Sequence, residues 1–200
     1  MTSPQQPSGL VSPQPTGYAI RPLELEDVEA SVRCHVECLA QTYAPLMPPE
    51  FIELHRRALP DRVEQTRRAW STWQHESPER RTRAWIAADA SGQVVGLARS
   101  GPGPTPWEND LGAPEPTVGF ELHHIYTLQH THGSGLGQAL LEVAVGQRDA
   151  YLWILNGNTR AERFYQRNGF VPDGVSIDCG PTWFYRPMFR MVRRRGQVSG

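Results

Sequence analysis

The sequence predicts a single domain of the α/β (α+β) class. Three observations lead there. Strand-like runs and helical stripes alternate along the chain, a strand–glycine turn–helix unit stands in its middle, and 200 residues is the size of one domain with tails. The chain is 38% apolar, enough to bury a core, yet no apolar run approaches the ~18–20 residues of a membrane helix. Met1-Thr2-Ser3-Pro4 offers neither the basic start nor the apolar stretch of a secretory signal. Three cysteines are too few, and odd in number, for a disulfide framework, so the expected compartment is the reducing cytoplasm. A formal net charge of −1 supplies no general attraction to nucleic acid or to an anionic membrane, and neither is an expected partner. All 20 basic residues are arginine, which leaves no lysine for Schiff-base chemistry.

Residues 1–17 are rich in Pro, Ser and Gln and predict a disordered tail; the folded domain is expected over 18–195, with a short flexible end at 196–200. Tyr18 to Leu23 reads as the first strand. A helix follows from about Glu26, with acidic residues in its first turn and an apolar stripe of Val28, Val32, Val36, Leu39 and Tyr43. Pro45, Pro48 and Pro49 end it, and a second helical stretch runs from Pro49 to His75 with an interruption near Pro60. Arg83–Ala88 and Gln93–Ala98, on either side of Ala90-Ser91-Gly92, read as a hairpin. A proline-rich loop spans 101–117, long enough to suggest a functional lid or disorder. A strand (118–128), a glycine-rich turn, a helix (136–146), a strand (151–155), a helix (159–168) and two strands near 170–179 and 183–192 complete the order.

The strongest local signal is His132-Gly133-Ser134-Gly135-Leu136-Gly137-Gln138, placed between a strand and the helix it opens. Glycine lets successive backbone N–H groups converge on one point, and at a helix N-terminus they form an anion site suited to a pyrophosphate. The missing lysine excludes a P-loop, and the glycine spacing does not fit the dinucleotide fingerprint.

Together with the preceding strand Glu121–Thr127, this turn resembles the acetyl-CoA motif of the GNAT (Gcn5-related N-acetyltransferase) superfamily, Arg/Gln-x-x-Gly-x-Gly/Ala, falling on His132, Gly135 and Gly137. The later block from Leu152 to Phe170 is similar to that superfamily's strand–Asn–helix–Tyr–Gly-Phe segment, and the likeness covers about residues 18–193. The resemblance implies a central, mostly antiparallel sheet of six to seven strands flanked by helices, splayed between the 118–128 and 151–155 strands. It also implies acetyl transfer from acetyl-CoA, as cosubstrate, to a primary amine by direct attack in a ternary complex. The acceptor stays open between a small molecule and a protein amine, and a homodimer fits families of this type. A non-catalytic acyl-CoA sensor on the same fold is the alternative.

In this frame the pyrophosphate falls to the N–H groups of Gly133, Ser134, Gly135, Leu136, Gly137 and Gln138. The pantetheine arm falls to the backbone of Ile125, Tyr126 and Thr127, which it can pair with as another strand would. His132 stands where the family has Arg or Gln; a neutral ring still donates one hydrogen bond, so binding is expected to be weakened rather than lost. Asn158 can cap the following helix or reach a pantetheine amide, and Tyr165, two turns on, resembles the tyrosine that protonates the leaving thiolate. Packing is the other reading of Tyr165. Glu121, eleven residues before His132, resembles the base of the histone-acetylating branch; a solvent-facing strand end is its other reading. His123 is the second candidate base, and with Tyr43 is expected to line the acceptor side. Strand alternation places Glu121, His123, Ile125 and Thr127 on one face and His124 on the other.

His130 and His132 do not complete a tetrahedral ligand set at a familiar spacing, so no metal is expected. Cys34 and Cys38 share a helix face and read as small buried thiols, and Arg193–Arg195 as a solvated strand end.

Overall fold

The computed structural model describes residues 17–77 and 79–195, so the two expected tails, Gly17 apart, lie outside the described residues. Seven strands form one sheet in the order β1-β2-β3-β4-β5-β7-β6: β1 Tyr18–Pro22, β2 Arg83–Asp89, β3 Val94–Pro102, β4 Phe120–Thr127, β5 Ala150–Leu155, β6 Val171–Asp178 and β7 Pro187–Arg193. Every neighbouring pair is antiparallel except β4 and β5. Parallel neighbours need a crossover helix, and α5 (Leu136–Ala144) supplies it.

The helical stripe from Val28 to Tyr43 forms α1 (Val28–Tyr43) after a 3-10 turn at Leu25–Asp27. The next helical stretch breaks at Ala58 into α2 (Pro49–Arg57) and α3 (Leu59–His75). Pro60 sits in the first turn of α3, where its missing N–H costs nothing. α6 (Thr159–Arg167) follows β5. The last strand begins at Pro187, four residues later than expected, because Phe184 and Tyr185 take left-handed backbone angles after a 3-10 turn at Pro181–Trp183.

The helices divide between the sheet's faces. On one side α5 packs closely: a Cβ at Gly96 would stand 3.1 Å from Leu140 and 3.2 Å from Thr127, and Ser100 Oγ donates to Ala144 O at 2.7 Å. On the other side lies α1, where His35 stacks on His124 and Tyr126 of β4.

A bulge in β4 alters the face expected for the 121–127 residues. Arg99 opposes His124 while Ser100 opposes Leu122, which leaves His123 as an extra residue. Past the bulge the alternation changes phase. Glu121 and His123 meet at 3.6 Å, and Arg99, which lines the α1 side with His124, donates to His123. His123 and His124 therefore both serve the α1 side, whereas Thr127 faces α5. The expectation that Glu121, His123, Ile125 and Thr127 share a face is corrected: the inserted residue breaks it.

The proline-rich 101–117 segment is tied down. It contains a short helix, α4 (Pro106–Asp110), whose Glu108 is buried and accepts hydrogen bonds from Tyr151 Oη and Trp153 Nε1, both at 2.8 Å. Pro114 O accepts from Arg190 at 2.6 Å. Arg190, 2% exposed, also donates to Asp173 at 2.6 Å and lies over the rings of Trp153 and Tyr151. One buried guanidinium thus joins β7, β6 and the loop. No helix among the described residues is long and apolar enough to cross a membrane.

Arg190 is buried but Asp173 lies at the surface, and a charged hydrogen bond of this kind contributes about 1.5–3 kcal/mol. Arg190→Ala is expected to destabilise the protein by that amount in urea unfolding, and Arg190→Met combined with Asp173→Asn to recover part of it.

Candidate active site

The site begins where β4 and β5 part. Their only paired residues are Glu121 and Tyr151, and beyond them the strands diverge. Ile125–Thr127 pair with β3 on one edge only and no strand pairs with the edge turned toward β5, so apart from Thr127 O, taken by the His132 ring, its backbone groups are left for another partner. A cleft of about 800 Å³ opens there, between β4, the glycine turn and α6.

The turn is built by glycines in the left-handed region, Gly133 at φ 86° and Gly135 at φ 85°, where other residues are strained. Gly135 is the N-cap of α5. A Cβ on either glycine would meet no protein atom within 4 Å, so the turn presents bare backbone to the cleft. Among the described residues the N–H groups of Gly135, Gly137 and Gln138 have no partner. This is the donor set of an anion site on a helix N-terminus. Ser134 is arranged differently: its hydroxyl donates to Thr131 O at 2.7 Å and accepts from Leu136 N, serving the turn itself, and it does not line the cleft.

His132 lines the cleft, but its Nε2 lies 3.2 Å from Thr127 O. A carbonyl can only accept, so Nε2 carries the proton and donates inward. Burial and the neighbouring Arg160 hold the ring's pKa below its usual value, keeping it neutral. Its expected hydrogen bond to phosphate is corrected accordingly, since the one N–H of the neutral ring is already engaged. Positive charge enters the cleft instead from Arg160 and Arg167 of α6. Sequence reasoning passed over both. Spacing hides them, because five and two residues from Tyr165 put neither on its face; the available signal was two arginines on the helix already assigned to the site.

Asn158 caps α6, its Oδ1 accepting from Ala161 N at 3.2 Å, and it also lines the cleft. Tyr165 lines the cleft while packed edge-on against Phe164 and Phe170. Burial raises its pKa, so the phenol is protonated at neutral pH. Tyr43 stands behind the cleft wall, its hydroxyl 3.2 Å from that of Tyr126, among Phe51 and Trp183.

Glu121 is buried at the apex of the divergence, His123 beside it is mostly covered, and neither lines this cleft. At 3% exposure Glu121 is no solvent-facing strand end. Burial, and then the nearby Glu108, push its pKa up to about 8. His123 is lowered to about 3 by burial and by Arg99, which donates to its Nδ1 at 3.1 Å. Among the described residues no three His, Cys, Asp or Glu groups converge as metal ligands.

Residues 80–172, from β2 through α6, match the family model for the acetyltransferase (GNAT) domain. The match spans just under half of the chain, and it supports the GNAT superfamily. Its fold is similar to that of PaiA N-acetyltransferase from Thermoplasma acidophilum in complex with coenzyme A, at TM-score 0.64 and 20% identity over 90% of this chain and 99% of that one. It is similar too to a histone acetyltransferase HPA2-related acetyltransferase from Corynebacterium glutamicum (0.57, 22%, 92% and 100%). A third is a variant of SpeG spermidine N-acetyltransferase from Vibrio cholerae (0.55, 16%, 88% and 93%). At these identities the likenesses speak for the fold. No curated protein matches the sequence.

The free N–H groups and open turn of this chain suit a pyrophosphate. Gly135→Val puts a branched side chain into the cradle at a backbone angle it resists. Acetyl-CoA affinity is expected to fall at least tenfold, ~1.4 kcal/mol or more, in calorimetric titration, with the far-ultraviolet circular dichroism unchanged.

Proposed function

We propose that this protein is an N-acetyltransferase that moves the acetyl group of acetyl-CoA to a primary amine. The observation that carries the reading is the junction of three elements at one cleft: an unpaired strand edge at Ile125–Thr127, an N–H cradle at Gly133–Gln138, and a protonated tyrosine, Tyr165. A coenzyme A complex and a spermidine N-acetyltransferase among proteins of similar fold support it.

Acetyl-CoA would bring an activated thioester to the cleft. The turn's N–H groups, Arg160 and Arg167 would hold its phosphates, and the β4 edge its amide arm. In the transfer a C–N bond forms between amine and acetyl carbon, the C–S bond breaks, and the amine gives up a proton while the thiolate takes one. Tyr165, protonated and facing the cleft, is the proposed donor to sulfur. Alkylammonium groups have pKa values near ~10, so a base must act at neutral pH. Glu121 is the proposed base: its pKa near 8 gives it basicity that His123, at about 3, lacks. Its place at the apex is on the α1 side, which becomes the acceptor's side in this reading.

Release of free thiol from acetyl-CoA against a panel of amines tests the function; binding without turnover would make the protein a sensor. Tyr165→Phe keeps the packing and is expected to cut kcat while leaving acetyl-CoA affinity within about twofold.

Ionised Glu121 is a minority below pH 8 and grows as pH rises through that value, so kcat/KM should climb with pH to about 8. In Glu121→Gln that limb is expected to vanish. Turnover at pH 7 should drop ~10²–10⁴-fold and recover only as free amine accumulates toward pH 10. A full-strength Glu121→Gln enzyme at pH 7 would remove the assignment.

A further inference from the structure

A second cavity, of about 130 Å³, lies on the α1 side of the sheet, between α1 and α3 above and β2, β3 and β4 below. Two arginines reach it, Arg62 from α3 and Arg99 from β3. Among the described residues neither forms an ion pair. Their partners are histidines. Arg62 donates to His55 Nδ1 at 2.6 Å and to His35 Nδ1 at 3.0 Å, and Arg99 Nε donates to His123 Nδ1 at 3.1 Å.

Arginine keeps its proton in proteins, so all three rings act as acceptors and are neutral, with the proton on Nε2. Burial favours the same state, holding His35 and His124 well below the usual range, His55 near 4 and His123 near 3. The remaining groups at the cavity wall, Ser31, Thr66 and two tryptophans, carry no charge. The acidic group that acts on Arg99 is Glu121, whose pKa near 8 leaves it mostly uncharged at pH 7. Two half-buried guanidiniums therefore line one cavity without an ion pair, Arg99 lying 5.8 Å from the centre of the Trp73 ring. Buried charges are ordinarily paired, and an unpaired one is costly to hold. Of five N–H donors on each arginine, two of Arg62 and one of Arg99 are engaged by the rings, which leaves several for another acceptor.

The cavity adjoins the reaction site. The His35 ring lies 4.8 Å from His124, which lines the cavity, and 4.8 Å from Tyr126, which lines the acetyl-CoA cleft. One layer of rings separates the two spaces. At ~30 Å³ for each water-sized group, 130 Å³ holds about four, the size of a carboxylate with its adjoining carbons.

We propose that this cavity binds the carboxylate of the acceptor, and that the protein acetylates small amines of the amino-acid type. The proposal rests on the N-acetyltransferase reading. Guanidinium groups match a planar carboxylate with parallel N–H···O bonds, and Arg62 and Arg99 would thereby gain the charge they lack. The amine end of the same molecule would point toward Tyr126 and the thioester.

The test follows thiol release with the common L-amino acids, each beside its carboxamide and its decarboxylated amine. At least one amino acid is expected to exceed both neutral-ended counterparts in kcat/KM by roughly tenfold or more. Arg62→Gln and Arg99→Gln should each raise its KM by a similar factor, erase the preference and leave acetyl-CoA affinity unchanged. Each substitution also takes the donor from a histidine Nδ1, so the unchanged acetyl-CoA affinity and an unchanged far-ultraviolet circular dichroism are what show that the KM effect is not a folding defect. Equal or better use of the decarboxylated amines, or an amino-acid KM unmoved in both variants, overturns the carboxylate site while the transferase reading stands. Where nothing turns over, calorimetry of the amino acids on the acetyl-CoA-loaded protein decides, and absence of binding overturns the proposal. Failure of the wild-type chain to bind acetyl-CoA overturns both readings.

Discussion

The constraint on which the rest depends is the single residue pair that joins β4 to β5. A continuous parallel ladder there would satisfy the backbone of Ile125–Thr127 from within and close the sheet. With only Glu121 and Tyr151 in register, the sheet stays one piece and yet opens an edge in its own middle. Open edges in a sheet attract another strand-like partner. Here the edge faces a cleft bounded by the glycine turn and α6, a setting that suits a small, extended partner that is anionic at one end.

Holding so narrow a junction requires support from outside the ladder. Tyr151 and Trp153 project from β5, and both donate to Glu108 of the proline-rich loop. Arg190 lies over the same two rings from β7. A Cβ on Gly103 would fall 1.9 Å from the Tyr151 hydroxyl, so the loop's backbone passes directly against the apex. The loop is thus the brace of the splay, and its composition follows from that role. Prolines limit the conformations it must give up on ordering, and a buried carboxylate gives two aromatic donors their partner. The same carboxylate helps raise the pKa of Glu121. The brace and the tuning of the proposed base are one arrangement.

Most of the fold was legible because periodicity and punctuation agree along this chain. The stripe from Val28 to Tyr43, the proline breaks at 45–49 and the Ser91-Gly92 turn all became elements close to where they were expected. The glycine turn was legible for a stronger reason: Gly133 and Gly135 need positive φ, a requirement written into residue type. Three things were not legible. The bulge at His123 is set by pairing with β3, and no local pattern in His123-His124 announces it. The inward turn of His132 depends on a carbonyl at Thr127 brought near by the fold. The meeting of Arg62 with His35 and His55 joins residues that share no repeat or spacing and lie on three different helices.

The bulge also explains how β4 can face two kinds of anion chemistry at once. On one side of it, Leu122 and Thr127 keep to α5, whose N-terminal N–H groups offer partial charges fixed by the backbone. On the other, His123 and His124 both turn toward α1, where full positive charges come from side chains, Arg99 and Arg62. Regular alternation would have sent one of those histidines to the α5 side, leaving Arg99 with an empty Nε or α5 with a polar ring in its apolar seam. One inserted residue avoids both costs. It keeps Arg99 oriented by His123 while His124 packs beneath His35. The two spaces therefore differ in how they hold charge. In the proposed reading, backbone dipoles at the cleft would accept a flexible polyphosphate from outside, whereas half-buried guanidiniums in a small cavity would discriminate among compact groups, because a ligand that fails to neutralise them leaves their burial uncompensated.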